Sequence, residues 1–125
     1  MKGERARASE CAMEKTRLAV LWTTEDWETV LGVVLPYVKR AALSGRFETV
    51  RLAVRGPSVR VMCGSGDVMR YVAELSDSGV EVMADMLSAQ IYGAAETLKQ
   101  RGVELTDVGA ALTGMVCSGW QIMSL

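Results

Sequence analysis

The 125-residue chain contains no histidine. That excludes catalytic triads built on imidazole and zinc centres ligated by histidine. Its three cysteines, Cys11, Cys63 and Cys117, are widely spaced and form no CxxC pair. Neither a disulfide framework nor a thiolate metal site is expected from them. Free thiols of this kind suit a reducing compartment, and the expected location is cytoplasmic. No apolar run approaches the roughly 20 residues that a membrane-spanning helix needs. The opening MKGERARASECAMEKTR lacks the apolar centre of a secretory signal. Neither charge sign is in excess: the net charge is -1, so no pull toward nucleic acid or anionic lipid is expected. Arg51, Arg55 and Arg60 read as solvated arginines rather than a basic edge. Phosphate-binding glycine motifs are missing as well. No GxGxxG follows the first strand-like run, and no GxxxxGK precedes a serine or threonine. Cys63-Gly64-Ser65-Gly66 reads as a flexible turn in place of a phosphate cradle. No cofactor and no metal are expected.

What remains is the composition of a globular domain, 50% hydrophobic and 23% charged. A chain of this length fits one domain, assigned to residues 16–125. Residues 1–15 read as either a loose N-terminal arm or a stretch ahead of a true start at Met13, which leaves Cys11 outside the fold. The most informative pattern is a repeated junction. Gly45, Gly79, Gly102 and Gly119 each end a helix-like segment and precede a β-branched or aromatic run. Glycine after a helix accepts the left-handed conformation without a Cβ penalty. Together with an initial apolar strand over Arg17–Thr23, these junctions predict alternating β and α elements.

Strands are expected at Glu48–Val54, Val80–Ala84, Val103–Thr106 and Trp120–Leu125. The continuous apolar character of the first strand suits a parallel sheet covered on both faces. Thr24 is the expected cap of a helix carrying Trp27, Val30, Leu31, Val34, Val38 and Ala41 at helical spacing, kinked near its middle by Pro36. Val59–Gly66 reads as a loop with a short apolar plug. Helices are predicted over Asp67–Ser78, over Met86–Arg101 behind an Asp85 cap, and over Ala110–Val116. The apolar closing strand, with the eight methionines, hints at self-association.

In an open parallel sheet, ligands bind beyond the carboxyl ends of the strands. Here those ends carry Thr24, Arg55, Ser58, Asp85 and Ser88, the residues expected around any pocket. Cys63 lies after the second strand, on or near the same edge, with Arg55 and Arg60 close in sequence to favour a thiolate. Cys117 falls between the last helix and strand, at the opposite edge.

Residues RLAVLWTTEDWETVLGVVLPYVKRAALSGRFETVRLAVRGPSVRVM, GVEVMADMLSAQIYGAAETLKQRGVEL and the closing GWQIMSL resemble the DsrE/DsrF-like family of sulfur-relay proteins. The resemblance covers Arg17 to Leu125. It implies a flavodoxin-like three-layer α/β/α sandwich with about five parallel strands, assembled as a homo-oligomer such as a trimer or hexamer. It also implies a persulfide-carrying cysteine just after the third strand, often with a second one three residues on. Aligned on GVEVMA, those positions are Asp85 and Ser88, and neither can form a persulfide. The resemblance therefore implies a non-catalytic binding or assembly subunit, partnered by itself or by a cysteine-bearing paralogue. The alternatives are a sulfur carrier or sulfurtransferase that has moved its catalytic thiol to Cys63, and a generic flavodoxin-like protein for a small ligand.

Overall fold

A computed structural model of the chain describes residues 16–125. The expected N-terminal arm and Cys11 lie outside the described residues. The strands are β1 (Thr16–Trp22), β2 (Phe47–Val54), β3 (Glu81–Asp85), β4 (Glu104–Thr106) and β5 (Gln121–Ser124). They form one sheet in the order β4-β3-β2-β1-β5, and every pair is parallel. The helices are α1 (Trp27–Thr29), α2 (Leu35–Leu43), α3 (Pro57–Gly64), α4 (Gly66–Asp77), α5 (Met86–Ile91), α6 (Ala95–Gln100) and α7 (Val108–Cys117), with a π segment at Val30–Val34 joining α1 to α2.

The chain steps from β1 through β2 and β3 to β4 in one direction across the sheet. Parallel crossovers are right-handed, so α1 to α6 all lie on one face. The last crossover runs back from β4 to β5 beyond β1, which places α7 on the opposite face. Core packing shows the same division. Leu18, Val20, Trp22, Val50, Leu52 and Val54 face the larger helical layer and its Val34, Leu35, Val38, Val72 and Leu98. Ala53 and Met83 face the other way, toward Val108 of α7. The fold is thus a flavodoxin-like α/β/α sandwich with three layers, one of them a single helix.

The glycine junctions behave as their chemistry requires. Gly79, Gly102 and Gly119 have φ of 97°, 76° and 83°. At each, the next residue's N–H reaches back to a carbonyl five residues earlier, as Val80 does to Leu75 at 3.1 Å. That is the Schellman closure of a helix C-terminus.

Four local expectations are corrected. The cap of the first helix is Asp26, whose carboxylate accepts the Thr29 N–H at 3.1 Å. Thr24 sits one step earlier and accepts the Asp26 N–H at 3.2 Å. The expected kink takes the form of the π segment directly ahead of Pro36, where the Leu35 N–H bonds the Val30 carbonyl. Proline has no N–H of its own, so the helical ladder is already interrupted there. Val59–Gly66, expected as a loop, is mostly helical: α3 runs over Pro57–Gly64 and α4 starts at Gly66. Pro57 is preset for a first helical turn, and Val59 and Met62, three apart, bury one face. The single helix expected over Met86–Arg101 is two. Gly93 (φ 64°) and Ala94 close α5 with the same Schellman bonds, and α6 restarts at Ala95. Ile91, the last residue of α5, is exposed.

Candidate functional site

Adjacent strands whose following helices leave to opposite faces open a crevice at their carboxyl ends. In this sheet those strands are β3, followed by α5 on one face, and β4, followed by α7 on the other. A cleft of about 250 Å³ lies at that point, lined by Arg55, Asp85, Met86, Leu87, Gln90 and Asp107.

Asp85 ends β3 and caps α5. Its Oδ2 accepts the Ser88 N–H at 3.0 Å and the Ser88 hydroxyl at 2.8 Å, and its Oδ1 accepts the Val108 N–H at 3.1 Å. The Ser88 hydroxyl oxygen in turn accepts the Gly56 N–H at 2.9 Å. The carboxylate therefore ties the turn after β2, the end of β3 and the starts of α5 and α7 into one knot. Asp85 is only 6% exposed. Burial pushes its carboxyl up, but the Ser88 and Val108 hydrogen bonds and the nearby Arg55 charge outweigh it and hold the group below the usual carboxylate range. An ionised carboxylate that holds three donors at a helix start works as a structural brace.

All five residues expected at the pocket lie at this carboxyl edge, but only Arg55 and Asp85 line the cleft. Ser58 is fully buried in α3, and its one hydroxyl proton is shared between the carbonyls of Trp22 at 2.7 Å and Arg55 at 2.9 Å. Ser88 lies under the cleft within the Asp85 knot. Thr24 belongs to the turn after β1, where its carbonyl accepts the Trp22 indole N–H at 2.8 Å. Gln90, Met86, Leu87 and Asp107 complete the lining. Met86, Leu87 and Asp107 stand at or beside strand ends that the sequence marks, whereas Gln90 does not, and which strand ends share one crevice is set by strand order.

Cys63 lies in the last turn of α3, half-buried against the larger core. Burial raises its thiol, and the charge that offsets part of this belongs to Arg101. Neither Arg55 nor Arg60 has that role, and Arg60 is paired with Glu25. The end of a helix also disfavours a thiolate. Cys117 is exposed at the far end of α7. Arg51 is on the α7 face of β2, paired with Glu81 at 3.1 Å and stacked over Trp120. Among the described residues, no group of three or more potential metal ligands is present, and no helix is long and apolar enough to cross a membrane. A smaller hollow of about 100 Å³ between α4 and the start of β4, lined by Met69, Val72, Val82 and Arg101, is remote from this edge.

No family model and no curated protein matches the chain. Two solved structures share its fold. One is BT1422, a conserved protein of unknown function from Bacteroides thetaiotaomicron. It is 24% identical with a TM-score of 0.81, over 87% of this chain and 94% of that one. The other is MTH1491, a protein of unknown function from Methanobacterium thermoautotrophicum. It is 20% identical with a TM-score of 0.73, over 89% of this chain and 100% of that one. At these identities the likeness shows a common α/β fold spanning nearly the whole of each chain.

Proposed function

We propose that this chain is a DsrE/DsrF-like protein that works as a non-catalytic binding or assembly subunit. In this reading it is cytoplasmic and a homo-oligomer, or a partner of a cysteine-bearing paralogue. One observation carries the reading. The two positions that align with the family's reactive cysteines are Asp85 and Ser88, and they are hydrogen-bonded to each other at 2.8 Å inside a buried knot. A thiolate at the start of α5 would gain from the helix dipole. Here that place is filled by a charge already spent on three donors. The cleft beside it is left as a place to hold a ligand.

The test is intact and site-resolved mass spectrometry after incubation with a persulfide donor. Wild type gains no adduct of about 32 Da, the mass of one sulfur atom, on Cys63 or Cys117. Asp85→Cys, which places a thiol at the helix start, gains it. Sulfur loading of Cys63 in wild type would overturn the reading and make the chain a carrier with a relocated thiol.

A further inference from the structure

Three charged residues line the cleft, and beside the braced Asp85 stand two of opposite sign, Arg55 and Asp107, that do not satisfy each other. Arg55 makes no side-chain hydrogen bond and no ion pair among the described residues, and its guanidinium is one of the cleft walls. Asp107 caps α7 through Oδ1, which accepts the Ala110 N–H at 3.1 Å, and its Oδ2 has no bond among the described residues. Both groups converge over Gly109. A Cβ placed on that glycine would lie 3.3 Å from Asp107 Oδ1 and 3.4 Å from an Arg55 nitrogen. The backbone is therefore bare just where the two heads come near. They stand side by side without forming a salt bridge. Beyond them the wall is apolar, with Met86 and the 64%-exposed Leu87, and Gln90 offers an amide.

Charge complementarity narrows the occupant. A simple anion on Arg55 would face the carboxylates of Asp85 and Asp107, and a simple cation on Asp107 would face Arg55. A molecule with a carboxylate and an ammonium on neighbouring atoms satisfies both heads at once. Its carboxylate meets the planar guanidinium through two parallel hydrogen bonds, and its ammonium meets the open Asp107 oxygen. A short aliphatic tail then lies on Leu87 and Met86. We propose that the β3–β4 crevice binds a small zwitterion of the aliphatic α-amino-acid class. The proposal rests on the reading of this edge as a binding site and names the class of ligand.

The test is a nuclear magnetic resonance titration of the full chain with L-leucine, 4-methylpentanoate and 3-methylbutylamine. Leucine gives saturable shifts at the Gly109 and Gln90 amides, and each singly charged analogue binds at least about tenfold more weakly, a difference of about 1.4 kcal/mol. Arg55→Gln and Asp107→Asn each weaken leucine binding by at least about tenfold. Asparagine also caps helices, so the second variant keeps its fold. Gly109→Ala, acceptable in a helix, pushes the two heads apart and weakens binding as well. An absence of leucine shifts, or equal binding of the carboxylate alone, overturns the proposal. Sulfur loading of Cys63 is read by mass with no amino acid present, so failure of the functional reading is recognised separately.

Discussion

Asp85 collects donors from two chain segments and shapes the site more than any other residue. Removing its carboxylate leaves the Ser88 hydroxyl and the Val108 N–H buried without their acceptor. Loss of a helix cap and exposure of such orphan donors both cost stability. Asp85→Ala is expected to lower the unfolding free energy by about 2–4 kcal/mol, measured by urea denaturation. Asp85→Asn, which keeps an acceptor oxygen, should lose less. Asp85 was legible in the sequence as a cap, because aspartate before a helical run has that local chemistry. Its bond to Val108 was not, since 23 residues separate the two and only the sheet brings them together. Cys63 shows the opposite failure. Arg55 and Arg60 are its near neighbours in sequence, but the helical turn around it directs the thiol to the core and leaves the influential charge to Arg101.

At the level of elements, backbone conformation separates glycines that share a composition. Gly93 has φ of 64° and closes α5, whereas Gly114 lies within α7 with open space around its Cα. Gly93→Ala is expected to destabilise by roughly 1–2 kcal/mol, the strain of a left-handed residue with a Cβ. Gly114→Ala should stabilise by roughly 0.5–1 kcal/mol through helix propensity. Paired urea unfolding curves check both signs. The four strand-preceding glycines were readable because each stands at a change of hydrophobic period. Gly93 stands inside an unbroken helical period, with Ala94 and Leu98 in step, so the break between α5 and α6 was hidden. Val59 and Met62 in α3 were masked in the same way by the flanking Gly56-Pro57 and Gly64-Ser65-Gly66.

For the whole molecule, the parallel five-stranded sandwich followed from alternation and apolar strands, and the two solved structures of the same fold agree with it. Strand order did not follow from those signals. It decides that β3 and β4 diverge at their ends, and so it decides where the cleft lies and that Arg55, Gln90 and Asp107 share it. Among the described residues, the same order leaves α7 alone on one face, and the Asp85–Val108 bond ties the two helical layers at this edge. If that tie is an ionised brace, the Asp85 carboxyl is depressed in the folded state relative to the unfolded value of 3.8. Its contribution is then fully present above that value and is lost as pH falls through the folded pKa, because the unfolded chain binds the proton more readily. The deciding measurement is a pH titration of the Asp85 carboxyl carbon by nuclear magnetic resonance. A midpoint below 3.8 is the result for a structural carboxylate beside a binding cleft. A midpoint in the neutral range would mark Asp85 as a proton-transfer group and contradict a non-catalytic site.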